Sequence, residues 1–315
     1  MKIPFLTEIA QARNVLLIGA GGGYDIFSGL PLYRWLRNTD KTVHLANLSS
    51  GALGFTDAES PIAGLFRITS TTAASKYFPE MHLAGWLSRE SKEEVSIFCI
   101  EPAGVEAVSA GLRWLVENFK PDAVVLVDGG TDSLMRGDEA GLGTPEGDMA
   151  TLLAVDSLSQ PIAKFLLCLG FGIDSHHGVC HAHVLENVAA LIANDGFLGG
   201  WSMDRNTAEF QFFRDACDYV FARLPQQPSI VNTSVIAAAT GAFGDHHSTR
   251  RTEGSTLFIN PLMAFYWAFH LQAVARRNLI LDRIRNTQTA ADVAREIERF
   301  RDELPSLRPW QPIPC

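Results

Sequence analysis

A short apolar run that ends on an aspartate constrains the fold more than any other feature of the sequence. Residues 123–127 read Ala-Val-Val-Leu-Val and lead directly into Asp128. The run is too short for a helix and rich in β-branched residues, so it predicts a strand buried on both faces, as in a parallel sheet. Similar apolar runs alternate with helix-like segments, at residues 14–18, 42–48, 95–100 and 163–169. The sequence therefore predicts an α/β fold with a doubly wound, mainly parallel sheet, arranged as a Rossmann-like three-layer sandwich.

Length and composition favour a single domain. The 315 residues are 47% hydrophobic and 19% charged, as in a packed globular domain rather than a disordered chain. No linker in the sequence marks a boundary, so we expect residues 1–315 to form one α/β domain. Residues 49–94 lack clear strand patterning, and we interpret them as an insertion that covers the carboxyl edge of the sheet.

The C-terminal portion of the chain is expected to be mainly helical. Residues 230–239 predict one more strand before it, and residues 257–260 predict a last edge strand. Residues 261–275 are apolar almost all round but too few to span a bilayer, which indicates a buried helix or a contact in a homo-oligomer. Thr289 is placed to cap a final amphipathic helix.

Charge and cysteine content exclude several classes of partner. The formal net charge of -9 and the pI near 5.5 disfavour binding to nucleic acid or to anionic membranes. No apolar run reaches membrane-spanning length. An odd number of widely spaced cysteines suits reduced thiols, so we expect a cytoplasmic protein whose partner is a small-molecule substrate. The cysteines are at positions 99, 168, 180, 217 and 315.

A long loop rich in glycine and acid follows the central predicted strand. Ligands of open α/β sheets bind beyond the carboxyl ends of the strands, which is where this loop begins. Long loops in compact domains are usually functional or disordered, and a solvated acidic loop is the alternative interpretation. Asp148 is interpreted as the N-cap of a helix over residues 148–158. The candidate catalytic residues are Asp128, Asp132, Asp138, Glu139 and, at the end of another predicted strand, Asp174.

A glycine-rich turn, Gly-Ala-Gly-Gly-Gly-Tyr-Asp, follows the first predicted strand at residues 19–25. Such turns let the backbone approach a ligand closely, and N–H groups at a helix start attract phosphate or carboxylate. The turn departs from the dinucleotide motif at Tyr24, and Asn47 stands where the acid after the second strand is expected. A nucleotide-like or phosphate ligand and a tight packing turn both stay open. The candidate binding residues are Gly19, Gly21, Gly22, Gly23, Asp25, Gly129 and Gly130.

Histidines gather in two parts of the sequence without a complete metal motif. His177 and His181 are spaced for one helical face, but Gly178 stands where an HExxH motif requires glutamate. Solvent-facing or helix-start histidines are the alternative to metal ligands. The sequence assigns no role to the two groups, which are His176, His177, His181 and His183, and then His246 and His247.

Two long motifs carry a resemblance to a family. The segments LLIGAGGGYDIFSGLPLYRWL and VVLVDGGTDSLMRGDEAGLGTPEGD resemble those of an uncharacterised family of bacterial and archaeal proteins, known only as a domain of unknown function. The resemblance covers most of the chain and implies an α/β fold with a site near Gly21, Asp25, Asp128, Gly129, Gly130, Asp132 and Asp174. The core Gly-Gly-Thr-Asp-Ser at residues 129–133 is also similar to the GGxDS core of ATP pyrophosphatases. This chain departs from that second family, because Asp128 replaces its leading serine and glycines stand where its helix runs.

The clustered acids favour an enzyme. Six carboxylates in one loop repel one another unless a cation, a proton or an amine relieves them. We expect a small-molecule metabolic enzyme that binds a nucleotide-like, phosphate- or amine-bearing substrate and uses Asp and Glu for acid/base or divalent-ion-assisted hydrolysis or group transfer. Magnesium is the favoured ion, because oxygen ligands dominate this loop. A non-catalytic nucleotide- or metabolite-binding protein, and an ATP-pyrophosphatase-like or atypical dinucleotide-dependent enzyme, are the alternatives.

Overall fold

The computed structural model describes residues 2–73 and 77–313. The strands are β1 (Asn14–Gly19), β2 (Thr42–Leu48), β3 (Glu59–Ile62), β4 (Leu65–Ile68), β5 (Ile97–Ile100), β6 (Ala123–Asp128), β7 (Ala163–Cys168), β8 (Phe197–Ser202), β9 (Gly244–Asp245), β10 (Phe258–Ile259) and β11 (Phe265–His270). The helices are α1 (Pro4–Ile9), α2 (Asp25–Ser28), α3 (Leu30–Asn38), α4 (Pro79–Ser91), α5 (Val105–Phe119), α6 (Pro145–Asp156), α7 (His181–Ala193), α8 (Ala208–Phe221), α9 (Ile230–Ala239), α10 (Leu271–Arg277), α11 (Leu281–Ile284) and α12 (Ala290–Glu303).

Nine strands form one mixed sheet in the order β3-β4-β5-β2-β1-β6-β7-β11-β8. The five central strands, β5, β2, β1, β6 and β7, are parallel. The predicted α/β fold with a mainly parallel sheet is therefore confirmed. After β1 the chain adds β2 and β5 on one side and then returns to add β6 and β7 on the other. The switch point of the sheet thus lies between β1 and β6, whose carboxyl ends are Gly19 and Asp128.

Alternate side chains of the central strands enter two separate apolar layers. Leu16 and Ile18 of β1 pack with α5 and α6 on one face of the sheet. Val15 and Leu17 pack with α2, α3, α4 and α8 on the other face. All four side chains are fully buried, and burial of each stabilises the fold by roughly 2 kcal/mol. Burial on both faces explains why these strands are continuous apolar runs in the sequence.

Residues 49–94 contain two strands that their sequence did not indicate. Strands β3 and β4 pair with each other, and β4 pairs antiparallel with β5, so they extend one edge of the sheet. In β4 the end residues Leu65 and Ile68 are buried, while the two residues between them are partly exposed. A strand with so few buried positions gives almost no periodic signal. Helix α4 follows and packs against β5 and α8.

The predicted strand at residues 230–239 is wrong, because this segment is helix α9. Ser229 caps the helix by accepting a hydrogen bond from the amide of Asn232 at 3.1 Å. The hydroxyls of Thr233 and Ser234 bond back to carbonyls one turn earlier. The hydroxyls are thereby satisfied within the helix, and the cap together with packing against residues 261–264 outweighs the β-branched composition that suggested a strand.

The predicted buried helix at residues 261–275 is wrong over its central part. Residues Phe265–His270 form β11, which inserts antiparallel between β7 and β8, while Pro261–Ala264 form a 3-10 turn and the α-helix α10 covers only Leu271–Arg277. The large aromatic side chains have room on the two sides of a sheet, where Tyr266 and Ala268 share one apolar layer. The predicted edge strand at 257–260 is the short β10, which pairs with β9 outside the main sheet.

Three smaller predictions concern a helix cap, the cysteines and membrane-spanning segments. Thr289 caps α12 as predicted, in a capping box with Asp292. Cys99, Cys168, Cys180 and Cys217 are buried free thiols, and Cys315 lies outside the described residues. Within residues 2–73 and 77–313, no helix has the length and apolar character needed to cross a membrane.

Candidate functional site

Five aspartates converge at the switch point of the sheet, and we call them the aspartate cluster. Each comes from a different carboxyl-edge element: the start of α2, the end of β6, the 3-10 turn after it, the first turns of α6, and the 3-10 turn after β7. They are, in that order, Asp25, Asp128, Asp132, Asp148 and Asp174. Asp25, Asp128 and Asp148 each offer one carboxylate oxygen, and these three oxygens lie within 4.8 Å of one another. The structure therefore brings together four of the carboxylates singled out from the sequence and adds Asp148.

Two glycines give the carboxylates the space to approach the backbone. A Cβ atom on Gly130 would lie 2.8 Å from both carboxylate oxygens of Asp174 and 3.1 Å from Oδ1 of Asp128. A Cβ atom on Gly21 would collide with Oδ1 of Asp148 and would lie 3.1 Å from Oδ2 of Asp25. Any other residue would push the carboxylates apart, which is the local reason for glycine at these two positions.

The glycine turn after β1 directs its backbone toward Asp25. The amide of Gly21 donates to Oδ2 of Asp25 at 2.6 Å. The amides of Gly22 and Gly129 also favour the ionised form of this carboxyl group. A side-chain carboxylate thus lies at the turn, where a phosphate or nucleotide-like ligand was one of the two interpretations left open by the sequence.

The remaining candidate glycines of the turn serve its packing. Gly19 lies directly against the side chain of Asn47 and the amide of Ile26. The carbonyl of Gly23 accepts a hydrogen bond of 3.1 Å from Nδ2 of Asn47. Gly22 and Gly23 both have positive φ, which turns the chain toward α2. The turn is therefore fixed from the end of β2.

Local hydrogen bonds orient three of the aspartates through one oxygen each. Oδ2 of Asp128 accepts from the amide of Ser133 at 3.2 Å and from its hydroxyl at 2.5 Å. Oδ2 of Asp174 accepts from the amide of Thr131 at 2.7 Å. Oδ2 of Asp132 similarly accepts from the amide and hydroxyl of Thr144 at 2.8 and 3.2 Å. Ser133 and Thr131 therefore orient Asp128 and Asp174, while Thr144 at the start of α6 orients Asp132.

The interpretation of Asp148 as a helix cap is wrong. Helix α6 begins at Pro145 with Thr144 at the cap position, so Asp148 lies inside the helix. Its side chain is 2% exposed, and its Oδ1 has no hydrogen-bond partner in the described part of the chain. Proline is common at the first helical position, so the Thr144-Pro145 pair was the signal that could have placed the helix start correctly. Asp148 is the site residue that the sequence interpretation missed.

Burial and mutual repulsion raise the pKa values throughout the cluster. Burial, opposed by amide hydrogen bonds, raises the pKa of Asp25 to about 7. Burial and the neighbouring aspartates hold the pKa values of Asp128, Asp148 and Asp174 well above the ordinary range. Burial also raises the pKa of Asp132, while bonds from Thr144 lower it. Five neighbouring acids cannot all be ionised at low cost, so the cluster has a high affinity for protons or for a cation.

Asp138 and Glu139 lie away from the cluster in a separate ion-pair network. Nη2 of Arg308 contacts Oδ1 of Asp138 at 3.1 Å and Oε1 of Glu139 at 2.9 Å. Glu139 is fully buried and also accepts from the amide of Gly137 and from Asn187. The geometry assigns these two acids to anchoring the C-terminal segment onto the loop.

Within residues 2–73 and 77–313, the histidines form no candidate metal centre with one another. The one group of three possible metal ligands in those residues is Asp25, Asp128 and Asp148. His176 and His177 are exposed, and the charge of His177 lowers the pKa of Asp132. His183 is buried at the start of α7. His247 pairs with Asp245 at 3.3 Å in the small β9–β10 hairpin.

A buried glutamate supports the glycine turn from the side of α4. Glu80 is fully buried and accepts a 2.8 Å hydrogen bond from Nδ2 of Asn47, the side chain that also bonds Gly23. Burial raises the pKa of Glu80. Glu80 is thus linked through Asn47 to the turn. Nothing in the sequence spacing connects α4 with β2, so this link was not predictable.

The comparisons with known proteins identify a family by its description alone. A family model described as "Protein of unknown function (DUF1152)" matches residues 55–301, which is more than half of the 315-residue chain. No curated protein and no solved structure matches the chain. The match confirms the resemblance to a domain of unknown function. It includes four members of the aspartate cluster, and Asp25 precedes it.

Proposed function

The chain belongs to this family of unknown function, and from its site we propose a cytoplasmic enzyme that binds a divalent cation in the aspartate cluster and acts on a small molecule there. The observation that carries the proposal is Asp148, which is 2% exposed, has no hydrogen-bond partner at Oδ1, and offers one carboxylate oxygen within 4.8 Å of oxygens of Asp25 and Asp128. A buried anionic oxygen without a donor is costly unless a cation or a proton reaches it. Two further carboxylates beside this oxygen, those of Asp25 and Asp128, favour a cation.

The donor set favours magnesium or a similar hard ion. Asp25, Asp128 and Asp148 offer only carboxylate oxygens. Magnesium and calcium take oxygen ligands, whereas zinc prefers the nitrogen and sulfur of histidine and cysteine. Magnesium sites also use few carboxylates and keep positions for water and substrate oxygens. A three-carboxylate site at the sheet edge fits that requirement.

The remaining two acids suit proton transfer. Asp132 and Asp174 belong to the same cluster, and burial raises the pKa of both. Raising the pKa of a carboxyl group makes its ionised form a stronger base toward a water molecule or hydroxyl group. A bound cation would polarise the substrate or its attacking water. We therefore propose hydrolysis or group transfer, with Asp132 or Asp174 accepting the proton.

A melting series tests cation binding. The protein is melted in magnesium, manganese and calcium chlorides, and in sodium chloride of matched ionic strength. We expect a concentration-dependent rise in melting temperature with the divalent salts that exceeds the sodium effect, because a ligand of the native state stabilises by mass action. Asp148→Asn should remove this rise. Glu146→Gln should keep it, because Glu146 lies in the same helical turn but is exposed.

The same series includes the rival interpretation. A diamine such as putrescine is added in place of the metal salts, because an amine substrate would also relieve the repulsion between the acids. Equal shifts in all chloride salts would reject the metal site. A shift with putrescine alone, lost in Asp148→Asn, would replace the cation with an amine-bearing substrate.

A further inference from the structure

We propose that Arg251 and Tyr77 form a phosphate-binding subsite at the mouth of the aspartate cluster, so that the substrate is a phosphate ester. The inference rests on the proposed function, because it adds a substrate class to the same site. It comes from side chains that neither the sequence motifs nor the cluster itself include.

Differences in burial locate the mouth of the cluster. Asp128, Asp132, Asp148 and Asp174 are only 2 to 7% exposed. Asp25 and the turn at residues 21–23 are partly exposed instead. A substrate can therefore reach the acids past the glycine turn, between Asp25 and the residues that border the turn.

Tyr77 borders this mouth directly. A Cβ atom on Gly23 would lie 3.7 Å from the Tyr77 hydroxyl, so this hydroxyl stands over the turn. The ring of Tyr77 packs edge-on against Tyr24, with 6.2 Å between the ring centroids. Ser50 adds a second hydroxyl group, 3.3 Å from the Cβ position of Gly22. The rim of the turn thus presents hydroxyl donors on the substrate side.

Arg251 brings positive charge to the same rim. Its Nη1 donates to the carbonyl of Pro228 at 2.8 Å, while the hydroxyl of Tyr24 donates to the carbonyl of the adjacent Gln227 at 3.1 Å. The two side chains are therefore anchored at neighbouring peptide groups. The charge of Arg251 also lowers the pKa of Tyr77, against the larger raising effect of burial. Arg251 is itself exposed to solvent.

The chemistry of these groups selects phosphate. Five carboxylates repel any anion, so an anionic substrate needs a cation on the cluster side and a positive side chain on the other. The planar guanidinium fork of arginine matches the oxygens of a phosphate group and donates more than one hydrogen bond to it. One donor of Arg251 is used at Pro228, and arginine has five. Arg251 therefore has donors beyond the one that anchors it, and a phosphate group can accept from them.

The test titrates inorganic phosphate, with sulfate and acetate as comparison anions, into the protein at saturating magnesium and without it. Binding is followed by calorimetry. We expect phosphate to bind the magnesium-loaded protein, and Arg251→Gln to weaken it about tenfold or more through loss of a charged hydrogen-bond donor. Tyr77→Phe should weaken phosphate binding by a smaller factor. Arg250→Gln is the matched control, because Arg250 is the exposed neighbour on the same 3-10 turn.

The outcomes separate the subsite from the metal site. Magnesium affinity measured alone should be the same in Arg251→Gln as in the parent, because Arg251 does not belong to the cluster. Equal weakening of phosphate by Arg251→Gln and Arg250→Gln, or no phosphate binding at all, overturns the subsite. If the parent binds none of magnesium, manganese and calcium, the proposed function is overturned, and the phosphate titration without metal then decides the subsite by the same comparison. Preference for acetate would replace the phosphate ester with a carboxylate substrate.

Discussion

Removing the charge of Asp148 should stabilise the metal-free protein, which is the reverse of what a structural acid would do. Asp148→Asn keeps the side-chain volume and removes a charge that lies within 4.8 Å of candidate ligand oxygens on Asp25 and Asp128. At that distance two carboxylates repel by about 3 kcal/mol for an effective dielectric constant of ~20. The amide that replaces the carboxylate can also donate a hydrogen bond to a neighbouring acid.

The expected stabilisation depends on pH. Asp25 has a folded-state pKa raised to about 7 from an ordinary value of 3.8. Because the folded pKa is raised, its contribution to stability is complete below about pH 4 and is lost as pH rises through about 7. The metal-free parent should therefore melt at lower temperature at pH 8 than at pH 5.5. Asp148→Asn should reduce that loss, because one source of repulsion is gone.

The melting temperature converts this energy into a measurable shift. For a chain of 315 residues, 1 kcal/mol corresponds to about 1.5 °C. The full repulsion of one pair would therefore raise the melting temperature of Asp148→Asn by about 5 °C at pH 8, and proton uptake by the parent reduces this difference toward pH 5.5. The assay is scanning calorimetry in EDTA at both pH values, with the exposed Glu146→Gln as the control. If Asp148→Asn instead melts below the parent by a similar amount at both pH values, the carboxylate supports the fold and the repulsion argument fails.

Three further predictions concern the supports of the site. Gly130→Ala should lower the free energy of unfolding by about 2 kcal/mol and abolish the rise in melting temperature with magnesium, because its methyl group would lie 2.8 Å from the carboxylate oxygens of Asp174. A urea unfolding midpoint equal to that of the parent would contradict this. Arg308→Met should lower the free energy of unfolding by about 3 kcal/mol, because it leaves the buried Glu139 without its cation. The rise in melting temperature with magnesium should persist in this variant. Loss of that rise would show that the ion pair also orders the site. Thr289→Ala should cost about 1 kcal/mol through loss of the α12 cap, measured by urea unfolding, and an unchanged midpoint would mean that the cap is replaced by water.

The central part of the fold was predictable because local and long-range preferences agree there. Strand β6 is a continuous apolar run, and its neighbours β1 and β7 have the same pattern, so parallel pairing and burial on both faces follow from composition alone. The convergence of Asp25, Asp128 and Asp174 then follows from topology, since all three leave carboxyl ends of parallel strands. Thr289 was identifiable because a cap is decided within four residues.

The remaining features depend on contacts that the sequence does not display. The segment at 230–239 combines β-branched residues with small ones, and only its cap and its packing against the 3-10 turn at 261–264 make it helical. The acids of the loop look alike in the sequence, yet Asp138 and Glu139 pair with an arginine some 170 residues away. Asp148 lies inside helix α6, because the helix begins at Pro145 and not at residue 148, where its start was predicted.

The position of β11 has a consequence for the order in which the protein is completed during synthesis. Strand β8 occupies the edge of the sheet with β11 as its neighbour, and β11 also covers the outer edge of β7. Until residues 265–270 leave the ribosome, β8 has no strand to join and the apolar backbone edge of β7 stays open to other chains. Nascent chains that stall before residues 265–270 have left the ribosome should therefore be the ones that aggregate or recruit chaperones, whereas those that stall after these residues have emerged can already close the sheet.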